Sequence, residues 1–469
     1  MKIEQIYTGC LAQGAYYIES QGEAAIIDPL REVHPYIKKA KEDNATIKYI
    51  FETHFHADFV SGHLSLSEKT GAPIVYGPTA TPSFDTLIAE DGQVFSIGAI
   101  SVIVLHTPGH TMESTTYLLR DENGKDHAIF SGDTLFLGDV GRPDLAQKGI
   151  HMTQEQLAST LFDSLRTKIM PLSDDVIVYP GHGSGSACGK NMMKETVDTL
   201  GNQKKVNYAL RADMSREEFV KEVTDGLMAP PQYFPLNVKM NKEGYEDIDT
   251  ILSRGTQALS ADAFEVAANE TGAIVLDVRS PDEFEKGHIS GSIFIGLDGS
   301  FAPWVGTLVA DVKHPILLVA PEGREEEAVM RLSRVGFDNT LGYLKGGFET
   351  WQKALKEVDT VTSVNAETFK TIWEKEAPIF DVRNQGEYTS AHLEKASHTA
   401  LDHLNEHLAE FPQQETFYVH CAGGYRSMIA ASILKSRGIH NLVNIAGGFK
   451  AIKEVGIEIT NQGCSSTLK

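Results

Sequence analysis

Cysteine is scarce in this chain. Its 469 residues hold four, Cys10, Cys188, Cys421 and Cys464. That is too few and too scattered for a disulfide framework, so reduced thiols in a reducing compartment are expected. Long apolar runs are also missing. None approaches ~18 residues, and a membrane-spanning helix is not expected. Basic residues fall well short of acidic ones, with 42 Lys+Arg against 64 Asp+Glu and a formal net charge of -22. Nucleic acid is a poor partner for such a surface, because neutralising phosphates takes an excess of lysine and arginine. An anionic membrane surface is disfavoured for the same reason, and solubility is the leading reading of the charge. Residues Met1 to Ile6 lack the basic-then-apolar layout of a secretion signal, which makes a cytoplasmic location the expectation. What is present is 41% apolar and 23% charged residues, the balance of folded globular domains with sizeable cores. The length allows about three of them.

Two stretches repeat. Ala273-Ile-Val-Leu-Asp-Val-Arg returns as Ala377-Pro-Ile-Phe-Asp-Val-Arg, and Leu344-Lys-Gly-Gly-Phe-Glu returns as Ile445-Ala-Gly-Gly-Phe-Lys. A self-match at roughly a hundred residues marks duplicated domains rather than solenoid repeats. Each copy alternates short apolar strands (Ile274 to Asp277, Ile316 to Val319; Ile379 to Asp381, Thr416 to His420) with helical patterns. That alternation predicts a parallel sheet covered on both faces. The N-terminal part is instead β-rich, with strands expected at Tyr16 to Ile18 and Glu23 to Ile27. Between the regions, Gly226 to Asn237 carries Pro230, Pro231 and Pro235, and is expected to be an irregular boundary segment. These signals divide the chain into residues 1–250, 251–357 and 358–469.

The N-terminal part concentrates potential metal ligands. Thr53-His-Phe-His-Ala-Asp-Phe-Val-Ser-Gly-His63 follows the apolar run Ile47 to Phe51. Thr107-Pro-Gly-His110 follows Val102 to Leu105, Phe130-Ser-Gly-Asp133 follows a third strand, and Tyr179-Pro-Gly-His182 a fourth. Single histidines are usually structural. Four such turns in this order resemble the metallo-β-lactamase fold, an αββα sandwich. In two-metal members the residue after Asp58 is a histidine ligand; here it is Phe59. That loss points to a mononuclear centre.

The runs Glu52 to Phe59, Gly138-Asp-Val-Gly-Arg-Pro-Asp-Leu145 and Pro180-Gly-His-Gly-Ser-Gly-Ser-Ala-Cys-Gly-Lys190, with His110, resemble the persulfide dioxygenases. The resemblance implies one iron(II) per chain held by His54, His110 and Asp133. Two imidazoles and one carboxylate leave open positions for a substrate sulfur and O2. It implies that His56, Asp58 and His182 are hydrogen-bonding neighbours rather than ligands. Tyr179 is expected to hydrogen-bond near the metal. Arg142 and Asp144 either shape the persulfide pocket or simply order their loop. Cys188 is expected in an exposed, close-packed turn; it either holds a transferred sulfur or, like most lone cysteines, is a small buried hydrophobe. The alternative is a zinc thioesterase of the glyoxalase II type, which benefits from a second metal and is disfavoured by Phe59.

In the C-terminal copy, Phe417-Tyr-Val-His-Cys421-Ala422-Gly423-Gly424-Tyr425-Arg426-Ser reads as a strand, a glycine-bearing loop and a helix starting near Ser427. Such a loop turns backbone N–H groups toward an anion. The helix N-terminus and the charge of Arg426 are expected to lower the pKa of Cys421, whose thiolate is the nucleophile. The six-residue loop resembles that of the rhodaneses, and Asp381 and Arg383 resemble their architectural Asp-x-Arg element. In the first copy, aligning Leu317-Leu-Val-Ala320-Pro-Glu322-Gly-Arg324 places Ala320 where the nucleophile belongs. Without a thiol there is no covalent sulfur intermediate, so this copy is expected to be catalytically inactive and to serve as a spacer or interface.

The whole chain thus resembles persulfide dioxygenase–rhodanese fusions with two α/β rhodanese-like domains built on central parallel sheets. The implied reactions are oxidation of a low-molecular-weight persulfide (of glutathione, coenzyme A or bacillithiol) to sulfite, and sulfur transfer through Cys421 giving thiosulfate, or the reverse. A homo-oligomer, dimer or tetramer, is expected. The competing class is a non-oxidising sulfur carrier with a structural metallo domain, and retention of all three candidate iron ligands argues against it.

Overall fold

The computed structural model describes residues 1–145, 152–227, 229–373 and 377–460. Cys464 lies outside them, as does Met228 of the proline-bearing segment. The chain forms two compact units: Met1–Thr250 with Leu332–Gly336, and Ile251–Arg331 with Phe337–Lys469.

The first unit contains two six-stranded sheets. Strands β1 (Lys2–Thr8), β2 (Gln13–Ser20), β3 (Glu23–Ile27), β4 (Thr46–Phe51), β5 (Ile74–Tyr76) and β6 (Leu87–Ile88) lie side by side in sequence order. So do β7 (Val94–Ile97), β8 (Ile100–His106), β9 (Thr115–Arg120), β10 (Asp126–Gly132), β11 (Ile177–Pro180) and β12 (Asp198–Thr199). Alternation along each strand sorts its side chains between two cores. Tyr16 and Ile18 of β2 meet Ala128 and Phe130 of β10 in the core between the sheets. The intervening Ala15 and Tyr17 pack outward on Tyr36 and Ala40 of the helix His34–Glu42, and Ile129 packs outward on Leu161 of the helix Gln154–Ser164. A capping box between Thr153 and Gln156 starts that second helix. Helices on both outer faces complete the αββα metallo-β-lactamase sandwich. Strands β4, β8, β10 and β11 all end at the loops that carry the metal motifs.

The second unit holds two five-stranded sheets, each wholly parallel. The first runs Ala258–Leu259, Thr340–Leu344, Ile316–Val319, Ile274–Asp277, Ile293–Phe294 across the sheet. The second runs Ser363–Val364, Leu442–Ile445, Phe417–His420, Ile379–Asp381, Ala396–His398. The order is the same, so the sequence repeat is a structural repeat of α/β rhodanese-like domains. The helix Tyr425–Ser436 is buried from Ser427 through Leu434, which suits a segment enclosed on all sides.

Two local expectations are corrected. The proline-bearing segment becomes helical at Phe234–Glu243, because Pro235 falls in the first turn, where its missing N–H has no partner to lose. The helix after Cys421 begins at Tyr425 rather than near Ser427, since Gly424 with φ 110° ends the loop early. Among the described residues no helix is long and apolar enough to cross a membrane.

Phe130 is fully buried and stacks on Tyr179 at 5.3 Å between the sheets. Phe130→Ala is expected to cost about 3–5 kcal/mol of stability, measured by urea unfolding of the first unit's transition.

Candidate functional site

His54 and His110 turn their Nε2 atoms toward one carboxylate oxygen, Asp133 Oδ2, at 3.9 and 3.5 Å. The three residues are 1–2% exposed, and their ligand atoms lie within 4.8 Å of one another. Both oxygens of Asp133 are buried with no hydrogen-bond partner. A buried carboxylate left bare is costly, and two ring nitrogens facing it are the donor set of a cation site.

Neighbouring groups fix the imidazole tautomers. The Thr53 hydroxyl donates to Asp28 Oδ2 at 2.8 Å, so its oxygen accepts from His54 Nδ1–H at 3.0 Å. His110 Nδ1–H donates to the Arg142 carbonyl at 2.8 Å. Each ring therefore offers its Nε2 lone pair to the cluster. Burial and the neighbouring rings of His56, His110 and His182 hold the His54 pKa well below the ordinary histidine value, which keeps it neutral.

Close backbone approach explains two motif glycines. Gly132 has φ +50°, and a Cβ there would stand 2.5 Å from Thr53 Oγ1. A Cβ on Gly181 would stand 2.7 Å from Asp133 Oδ1.

A second group adjoins the first. His182 Nε2 lies 3.5 Å from Asp133 Oδ1 and 3.4 Å from Asp58 Oδ2. His56, Asp58 and His182 also bring their ligand atoms within 4.8 Å of one another. His56 is claimed by other partners, with Nε2 3.0 Å from Asp28 Oδ1 and 3.4 Å from Glu52 Oε2. Burial disfavours its charge, yet these carboxylates outweigh burial and raise its pKa to about 10. Phe59 is fully buried, with its ring 4.3 Å from that of His56 and 6.5 Å from that of His182. It walls the second group and offers no lone pair.

Arg142 forms a two-pronged pair with Asp144 at 2.7 Å for each contact, and its own carbonyl is the acceptor for His110. The pair therefore orders the loop that orients a candidate ligand. Two expectations are corrected. Cys188 is 1% exposed rather than in an exposed turn; burial first, then Asp58 and Asp133, push its thiol up to about 12. It nonetheless borders Asp133 and His182 within 4.8 Å. Tyr179 stacks on Phe130 and packs on Tyr16 at 5.3 Å, a place in the inter-sheet core instead of a hydrogen bond to the metal cluster.

Asn241 escaped sequence reading. From the helix Phe234–Glu243 its amide donates to the carbonyls of His56 and Phe59 and accepts from Ser61 N–H, each at 2.8 Å. Nothing local marks it, 180 residues from the loop it clamps.

In the second unit Cys421 follows the strand Phe417–His420 and is 1% exposed. Gly424 N–H donates to its Sγ at 3.1 Å. Arg426 departs from expectation: its guanidinium is paired with both oxygens of Glu387 at 2.6 and 2.7 Å. Its charge is thus shared with a carboxylate, and the backbone N–H that reaches the sulfur is that of Gly424. Asp381 and Arg383 form the architectural pair, with Arg383 also reaching the Ala391 carbonyl. Asp277 and Arg279 repeat it in the first copy, reaching Gly287. Register aligns the copies: Asp381 pairs with His420, and Asp277 with Val319. Ala320 therefore occupies the Cys421 position.

The fold and the histidine cluster define a metallo-β-lactamase-fold protein that carries two further α/β domains. The Metallo-beta-lactamase superfamily model matches residues 8–182, and the Rhodanese-like domain model matches residues 260–354 and 365–455. Human mitochondrial persulfide dioxygenase ETHE1 is 30% identical over 47% of this chain and 78% of its own length. The hydroxyacylglutathione hydrolase GloC of Haemophilus influenzae is 28% identical over 40% of this chain and 94% of its own. A crystal structure of a metallo-β-lactamase from Staphylococcus aureus is 32% identical, with TM-score 0.65, over 74% of this chain and 99% of that one. The chain belongs to the metallo-β-lactamase superfamily, with an N-terminal domain related to the persulfide dioxygenases joined to two C-terminal rhodanese-like domains.

Thr53→Val removes the acceptor that fixes His54. Metal affinity is expected to fall by roughly 10–100-fold, read by chelator competition; unchanged affinity would remove Thr53 from the tautomer argument.

Proposed function

We propose that the chain is a bifunctional persulfide dioxygenase and sulfurtransferase, divided into residues 1–250, an inactive rhodanese-like domain at 251–357 and an active one at 358–469. The observation that carries the first activity is the buried His54–His110–Asp133 cluster beside a phenylalanine where a further ligand would complete a second site. These three residues would hold one ferrous ion, the metal that two imidazoles and one carboxylate with open positions suit. When bound, ferrous iron supplies the redox centre that lets triplet O2 react with closed-shell sulfur.

The protein's own groups do the rest. Thr53 and the Arg142 carbonyl hold the Nδ1 protons outward. The Asp28–Thr53 and Arg142–Asp144 contacts keep both histidine loops in place. Burial of the cluster excludes bulk water. The net reaction is RSSH + O2 + H2O → RSH + sulfite + two protons.

At the second site the Cys421 thiolate attacks the terminal sulfur of another persulfide, RSSH + Cys-S⁻ → RSH + Cys-SS⁻, with Gly424 N–H beside the sulfur. Sulfite then takes the outer sulfur as thiosulfate and returns the thiolate. Run backward, the same steps make persulfide from thiosulfate. A reduced Cys421 is required, which fits a reducing cytoplasm. Glutathione, coenzyme A and bacillithiol persulfides are the candidate substrates.

The second reading is a zinc thioester hydrolase. Retention of Asp58 and His182 and the hydroxyacylglutathione hydrolase relatives favour it.

Elemental analysis of anaerobically purified protein should find about one iron per chain, with O2 uptake on glutathione persulfide. Two zincs, no O2 uptake and thioester hydrolysis would establish the second reading instead. Cys421→Ser should keep O2 uptake and abolish thiosulfate formation; loss of both would refute the division into two sites. Phe59→His, placed between His56 and His182, is expected to raise bound metal from one toward two per chain.

A further inference from the structure

The inactive rhodanese-like domain contributes a wall to the loop that carries Cys421. Tyr425 is the residue after Gly424, whose N–H contacts the Cys421 sulfur, and the residue before Arg426, which Glu387 holds. Its hydroxyl donates to the Gly296 carbonyl of the inactive domain at 2.7 Å. Its ring packs edge-on against Phe294 at 5.8 Å. It also comes close to the backbone of Gly299, where a Cβ would stand 2.3 Å from Tyr425 Cζ. Gly299 is outside the left-handed region, so the close approach of the ring, not the backbone turn, accounts for the glycine there.

The wall is itself braced. Arg331, 8% exposed, donates from Nη1 to the Leu297 carbonyl at 2.6 Å and from Nη2 to the Gly299 carbonyl at 3.2 Å. It projects from the helix Glu325–Arg334, which follows the thiol-less loop of the inactive domain. A further tie fixes the partner helix, where Phe294 N–H donates to Ser432 Oγ at 2.9 Å. The first copy has thus lost its nucleophile and kept a bracket of glycines and one arginine around a tyrosine of the second copy's active loop.

We infer that the inactive domain is a positioning element for sulfur transfer: Gly296, Gly299 and Arg331 hold Tyr425 and, through it, set the Gly424 N–H against the Cys421 sulfur. This rests on reading Cys421 as the sulfur carrier. A shift of the tyrosine moves the loop's backbone donors, and displacements of about 1 Å at an active site cost up to ~100-fold in rate.

The test uses the full-length protein with three readouts: sulfur loading of Cys421 from thiosulfate followed by mass spectrometry, the pH profile of Cys421 alkylation by iodoacetamide, and O2 uptake on glutathione persulfide. Gly299→Ala is expected to slow loading by about tenfold or more and to shift the alkylation profile, with O2 uptake unchanged. Tyr425→Phe keeps the ring and removes only its bond to Gly296. It should fold as the wild type does and slow loading a few-fold, so the idea stays testable if Gly299→Ala is unstable. Wild-type loading and an unshifted alkylation profile in both variants would overturn the inference, because a domain that merely packs would give that result. If wild-type Cys421 takes up no sulfur at all, the carrier reading fails; the alkylation profiles then still decide whether the inactive domain positions the thiol.

Discussion

A carboxylate buried without a donor sets the constraint on which the first unit depends. Asp133 has no hydrogen-bond partner for either oxygen and faces three imidazoles. A carboxylate in that position is tolerable only when opposite charge compensates it. The surrounding structure reads as the machinery for meeting that need. Two rings have their Nδ1 protons engaged elsewhere. Gly132 and Gly181 let the backbone close around the aspartate. Four strand ends from the two sheets bring His54, His110, Asp133 and His182 together.

The second unit repeats one scaffold twice. Its two domains keep the same Asp-Arg pair at the same strand end, which braces the neighbouring loop in both copies. After the central strand one copy carries cysteine and the other alanine. The Asp-Arg pair is thus present with or without the thiol, which marks it as part of the scaffold. Pairing of Arg426 with Glu387 adds a further point. Near Cys421 the guanidinium is shared with a carboxylate, while the Gly424 N–H reaches the sulfur directly.

The fold class was legible because its signals are local. Short apolar stretches such as Ile47 to Phe51 marked strands in the first unit, and Glu23–Ile27 and Ile274–Asp277 fall where pattern alone put them. The ligand candidates were legible because each sits in a short turn motif at a strand end. Asn241 was not, since a lone asparagine in a polar helix has no signature and its partners lie far away in the chain. Cys188 misled because glycine and serine neighbours suggest an exposed turn, whereas burial depends on what folds over it. Tyr179 misled because proximity in sequence to His182 says nothing about which face of a strand a ring takes.

The sequence by itself determined the sandwich, the duplication, the loss of the nucleophile at Ala320 and the residue types at both sites. These follow from periodicity, turn chemistry and the presence or absence of a particular atom. Only the tertiary structure decided which histidine nitrogens face Asp133, which carboxylates claim His56, that Glu387 takes Arg426, and that Tyr425 rests on a glycine of the other copy. Nearly all of those depend on distances between residues far apart in the chain, and such distances exist only once the backbone has closed.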